Sequence, residues 1–208
     1  LYGFPMEKIH YVPHSRLESY KKVWKKEKQD IMYKNKINFV FFGFIREYKG
    51  LHILSKAYKK ICDAGYPATL TIAGSGDFSE YKDEYEKLKN VKIINRRIGD
   101  EEIGNLFSIE NAVAVLPYLD ATQSGVTITS MEFDCPIIAS DTGGLKEQLN
   151  NGKIGVFCKP GDVESLEKAM LTFIKYPEEF EKQRKLMADF LHTLDRDVVA
   201  STLIRELR

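Results

Sequence analysis

Cysteine is scarce in this 208-residue chain, and a strong charge of either sign is missing. The three cysteines, Cys62, Cys135 and Cys158, make no CxxC pair and no even framework. A disulfide scaffold is thereby excluded, and a reducing compartment fits. The four histidines are scattered. His10 and His14 are four apart, but Pro13 breaks the helix that would align them, so no structural metal site is expected. No apolar run reaches the ~18 residues of a membrane span, and no secretory leader is visible. The formal net charge of +1 gives no ground for nucleic acid as a partner. A GxxxxGK(S/T) loop is absent, which argues against P-loop ATP hydrolysis, and the complete dinucleotide fingerprint is absent too.

What is present is an apolar share of 43%, enough for a core in a chain of one large domain or a domain with appendages. Residues 1–36 differ from the rest, with nine Lys/Arg against four Asp/Glu. Lys21, Lys22, Lys25, Lys26 and Lys28 crowd one stretch in which Val23 and Trp24 are the only strong apolar residues. It reads as a solvated helix or linker, with contact to an acidic membrane surface or a polyanion as the sharper alternative. The chain opens on Leu1 rather than Met, which gives the expectation of a piece excised from something longer.

From residue 37 the pattern turns regular. Strands are expected over 37–45 (INFVFFGFI), 68–73, 91–94, 112–116, 137–140 and 155–158. Helices are expected over 51–62, 78–88, 101–108, 126–133, 145–150, 163–174, 177–190 and 195–208. Alternating strands and helices predict an α/β fold, a Rossmann-like parallel six-stranded sheet with helices on both faces. The expected divisions are a linker and basic segment over 1–36, the Rossmann-like domain over 37–176, and C-terminal helices over 177–208.

Ligands of such sheets bind beyond the carboxyl ends of the strands, so the residues there are the site candidates. After the first strand stand Gly43, Arg46 and Lys49, two cations suited to a diphosphate or else a solvated turn. Gly74 and Gly76 follow the second strand and allow a close backbone approach, or simply a tight turn. Ile98 follows the third and offers a surface for a nucleoside base, or else Arg96 and Arg97 beside it are only surface residues. Ser124, Gly125 and Val126 open a helix whose free N–H groups can hold a phosphate; Ser124 alternatively caps and does nothing more. Thr142 and Gly143 open another, with Glu147 one turn in, facing a sugar hydroxyl or solvent.

Five segments taken in order, 42–50 (FGFIREYKG), 70–76 (LTIAGSG), 117–126 (PYLDATQSGV), 136–144 (PIIASDTGG) with Glu147, and 155–162 (GVFCKPGD), resemble the C-terminal, nucleotide-sugar-binding domain of GT-B glycosyltransferases. The likeness covers about residues 36–174 and is nearest to the retaining group 1, or family 4, enzymes. It implies transfer of a sugar from a UDP-, GDP- or ADP-sugar to a hydroxyl acceptor in polysaccharide or glycolipid synthesis. Arg46 and Lys49 would stabilise the leaving diphosphate, with no divalent metal and no further cofactor. The chain departs from the family in having Phe44 where an arginine follows the strand glycine. It also lacks the two glutamates eight positions apart; Thr122 and Ser130 have that spacing, Thr129 competes with Ser130, and Glu132 is the only carboxylate nearby.

The resemblance further implies an N-terminal acceptor domain as partner, with residues 9–15 as the segment leaving it and a helix after Pro177 crossing back. A chain without that domain is expected to bind donor but not to turn over alone. A cytoplasmic location is expected, with peripheral contact at the membrane face. The alternatives are a nucleotide-sugar-binding module without catalysis and a fragment of a sugar-nucleotide 2-epimerase.

Overall fold

The computed structural model describes Pro5 and residues 12–206. The expected exit segment over 9–15 lies partly outside the described residues, as do His10 and the last two residues of the helix expected over 195–208. The elements run α1 (Ser19–Val23), β1 (Ile37–Phe42), α2 (Leu51–Asp63), β2 (Ala68–Gly74), α3 (Ser79–Glu86), β3 (Val91–Asn95), α4 (Ile103–Phe107), β4 (Ala112–Leu116), α5 (Gly125–Glu132), β5 (Ile137–Ser140), α6 (Leu145–Gln148), β6 (Val156–Cys158), α7 (Val163–Lys175), α8 (Glu178–Leu191) and α9 (Arg196–Glu206). The six strands form one parallel sheet in the order β3-β2-β1-β4-β5-β6. Helices cover both sides, as a parallel sheet buried on both faces requires.

The core follows from the apolar strands. Phe39, Phe41, Leu70, Ile72, Val113, Ile137 and Ile138 have no exposed surface. The face of α2 made by Leu51, Leu54, Ala57, Tyr58 and Ile61 is buried, and α2 packs against α7. Asn38 is the polar exception in β1. Its amide nitrogen donates to the carbonyls of Tyr33, Lys36 and Glu110, and its oxygen accepts from the Thr69 hydroxyl. That satisfied network pins the Asn38–Thr69 register between β1 and β2.

The helices expected over 101–108 and 145–150 are shorter than expected, at Ile103–Phe107 and Leu145–Gln148, and three other boundaries move for local reasons. β1 stops at Phe42 rather than at residue 45, because Gly43 turns the chain at φ +137°. Ile45 nevertheless keeps one parallel bridge to Gly76. α8 starts after Pro177, which serves as its N-cap residue. α3 starts at Ser79, whose N–H is taken by the Asp77 carboxylate.

The basic stretch is helical only over the five residues of α1. Beyond it the chain lies extended along α4. The Trp24 indole N–H donates to Asn105 Oδ1 at 2.8 Å, and the Asn105 amide donates to the Lys25 carbonyl at 3.0 Å. Trp24 meets Phe133 edge-on at 5.4 Å. An amphipathic membrane helix over 20–30 is therefore not formed: the tryptophan faces the domain, and the five lysines face solvent. Among the described residues, no helix is long and apolar enough to cross a membrane.

Candidate functional site

The strand order reverses between β1 and β4, and the chain there leaves the sheet in opposite directions. A cavity of about 430 Å³ opens at this point, beyond the carboxyl ends of β1 to β4. Gly43, Lys49, Gly74, Ile98, Ser124, Gly125 and Val126 line it, so the strand-end residues of four different segments meet in one crevice. Arg46, Gly76, Thr142, Gly143 and Glu147 lie outside the lining. Two larger cavities exist, one beside β3 and one between α2 and α3; carboxylates line both, Glu27, Asp30 and Glu102 in the first and Asp63, Glu80, Asp83 and Glu84 in the second.

Lys49 is the principal cation of the crevice. A short 3₁₀ turn over Glu47–Lys49 carries it, and Gly50 closes that turn at φ +70°. Its ammonium sits 3.6 Å above the Tyr118 ring centroid and 5.1 Å from that of Tyr48. Aromatic faces attract a cation but replace few of its hydrogen bonds to water. Burial thus lowers the Lys49 pKa from 10.5 to about 8. Arg97 and Asp100 are the other charged residues of the lining, so Lys49 faces little competing charge.

The second feature is the start of α5. Ser124 is its N-cap: the hydroxyl accepts from the Val126 N–H at 3.3 Å. The Ser124 N–H donates to Gln148 Oε1 at 2.7 Å, and its hydroxyl lies 3.4 Å from the Tyr118 hydroxyl. The capping role is thus real, and it leaves the Gly125 N–H without a protein acceptor among the described residues. A Cβ on Gly125 would meet nothing within 4 Å, so open space lies in front of the helix end. An anion is favoured there by the helix dipole and the unpaired N–H.

The other glycines have a different use. A Cβ on Gly74 would stand 1.8 Å from the Gly43 carbonyl oxygen, and one on Gly143 only 1.5 Å from that of Ala121. These residues let neighbouring strand-end loops touch each other. Thr142 likewise donates to the Leu119 carbonyl at 3.3 Å. Arg46 is exposed, and Glu147 is exposed on α6.

Several crevice residues have no local signature in the sequence. Tyr118 is fully buried beneath Lys49, and Leu17 and Tyr20 enter the lining from the stretch read as a linker. Phe44, two-thirds exposed, stands at the mouth. Glu132 does not line the crevice; it pairs with Arg16 at 2.9 Å.

Comparison with known proteins agrees with this fold. The family described as "Glycosyl transferases group 1" matches residues 22–188. Among curated proteins, glycogen synthase of Mycobacterium tuberculosis is 26% identical over 158 residues, which is 73% of this chain and 38% of that protein. The D-rhamnosyltransferase WbpZ of Pseudomonas aeruginosa is 26% identical over 147 residues, 69% of this chain and 38% of that one. Among solved structures, sucrose-phosphate synthase of Thermosynechococcus elongatus superposes with a TM-score of 0.71 at 22% identity, covering 83% of this chain and 46% of that one. Anabaena HepE, solved with UDP and glucose, gives 0.67 at 19% identity, covering 98% of this chain and 52% of that one. The chain spans about two fifths of the curated relatives it matches and about half of the solved ones. Family match and fold agree: the chain belongs to the group 1 glycosyl transferases.

Proposed function

We propose that the crevice holds the nucleoside diphosphate of a sugar donor, and that this chain is the donor-binding part of a retaining glycosyltransferase. The observation that carries the reading is the convergence of a half-buried, under-solvated Lys49 and the open N-terminus of α5 on one cavity. A diphosphate supplies what both lack: anionic oxygens for the ammonium and an acceptor for the Gly125 N–H. HepE was solved with UDP and glucose, which supports a nucleotide sugar as the ligand class.

In this reading Lys49 neutralises charge as the sugar's anomeric carbon separates from the diphosphate oxygen. The start of α5 shares that charge through the unpaired Gly125 N–H and the helix dipole. Arg46, exposed on the loop before Lys49, adds a cation from solvent. Ile98 and the backbone around it offer an apolar surface for the base. Thr142, Gly143 and Glu147 would contact the sugar beyond the cavity wall. The acceptor site and the remaining reacting groups would come from a further domain of the kind its longer relatives have, so the chain alone binds donor without turnover. Polysaccharide or glycolipid assembly in the cytoplasm is the setting we favour, with the exposed lysines of the basic stretch near a membrane face.

Calorimetric titration with UDP, GDP, ADP and the matching nucleosides tests the reading. Replacing Lys49 by Ala is expected to weaken diphosphate binding far more than nucleoside binding. Equal losses for both would contradict the role given to Lys49.

A further inference from the structure

Glu132 has no exposed side-chain surface, although it is the last residue of α5. Arg16 grips it with both prongs, Nε to Oε1 at 2.9 Å and Nη2 to Oε2 at 3.1 Å. The third nitrogen reaches Asp195 Oδ1 at 3.0 Å, and the Arg16 N–H donates to the Leu194 carbonyl at 2.9 Å. One residue thus joins the extended stretch before α1, the end of α5 and the turn between α8 and α9. A carboxylate at a helix C-terminus opposes the dipole, and burial adds a desolvation cost. A buried ion pair of this kind adds little net stability over a well-packed apolar pair, so stability alone is a weak reason for it.

Its position suggests another reason. Gly125, Thr129 and Glu132 fall on one stripe of α5, spaced i, i+4 and i+7. Gly125 and Thr129 line the crevice, and Glu132 lies one turn below them. Leu17, the residue after Arg16, and Tyr20, four residues on from Arg16, also line the crevice. We infer that Arg16 is a positioning residue for the crevice: its pairing with Glu132 and Asp195 holds Leu17 and Tyr20 in place as one wall of the cavity. The inference rests on the donor-site reading for its ligand, and on the ion-pair geometry for the wall.

The test uses the double variant Arg16→Met with Glu132→Leu, which removes the pair without stranding a buried charge. The expected result is a melting temperature within about 3 °C of the parent. Amides of residues 16–22 exchange faster, and UDP binds about tenfold more weakly, the scale of one displaced set of contacts. Arg16→Lys, which keeps the charge but not the two-pronged grip, falls between the two. A folded double variant whose amides stay protected, or whose UDP affinity is unchanged, overturns the role of Arg16. The two readings fail separately. A parent protein that binds no nucleoside diphosphate contradicts the donor site, whereas the exchange of residues 16–22 decides whether Arg16 holds the wall.

Discussion

Raising the pH from about 7 to about 9 weakens diphosphate binding by about tenfold if Lys49 is the phosphate's cation, and the sign follows from its surroundings. In the free protein, burial against Tyr118 and Tyr48 places the Lys49 pKa near 8, below its ordinary 10.5. A bound diphosphate beside the ammonium returns that pKa to the ordinary range or above. At pH 7 the free lysine is already mostly protonated, so binding takes up about a tenth of a proton. At pH 9 it is mostly neutral, and binding takes up nearly a whole one. The free energy of that protonation is drawn from the affinity. The phosphates are mostly ionised at pH 7 and fully so at pH 9, since their last pKa lies near 6, and this small change runs against the predicted loss rather than producing it. Tyr118, pushed well above its ordinary value by burial, stays protonated.

The assay is calorimetry with UDP in buffers of different ionisation enthalpy, which reads affinity and proton uptake together. Lys49→Arg keeps a charge that does not titrate, so its affinity should be flat over the same range. An affinity that is flat in the parent protein, or an equal slope in Lys49→Arg, refutes the reasoning. The same shift has a consequence for folding. Between about pH 8 and 10.5 the unfolded chain binds the extra proton, so the Lys49 contribution to stability rises with pH in that window.

Three further outcomes follow from packing. A Cβ on Gly104 would come within 2.6 Å of the Trp24 ring, so Gly104→Ala should cost ~1–3 kcal/mol and shift the emission of the sole tryptophan to the red; unchanged fluorescence would show that Trp24 is not seated there. Ser124→Ala removes the α5 cap and should lower stability by ~1 kcal/mol in denaturant melts, while Ser124→Gly costs only a few tenths; equal losses would point to the Tyr118 contact instead. Burial pushes the Cys135 thiol up to about 12 and the Cys158 thiol up to about 11, so the native protein should react with a thiol reagent at Cys62 alone and the denatured protein at all three cysteines.

The sheet was legible in the sequence because five of its six strands are short, largely apolar runs, and the four inner ones, buried on both faces, need no other pattern. Its edge strand β3, with Lys92 and Asn95, was legible from position and β-branched residues rather than from burial. The crevice was legible as a set of strand ends, and Lys49, Ser124 and Gly125 do meet there. The glycines show the limit of such reading. Sequence shows that backbone comes close at Gly74 and Gly143, but not what it meets; here it is another loop. Arg16, Leu17, Tyr20 and Trp24 sit in a stretch whose lysines dominate its composition. Their partners, Glu132, Asp195 and Asn105, lie 80 or more residues away in sequence, and no local pattern records them.

The central claim is that a nucleoside diphosphate binds where Lys49 meets the start of α5. Amide chemical-shift mapping during a UDP titration tests it most directly. The largest shifts are expected at Ser124, Gly125 and Val126, with smaller ones around Lys49 and Ser75, and weak shifts there with uridine alone. Shifts gathered instead around the cavity beside β3, near Lys26, Lys92 and Ser108, would contradict it.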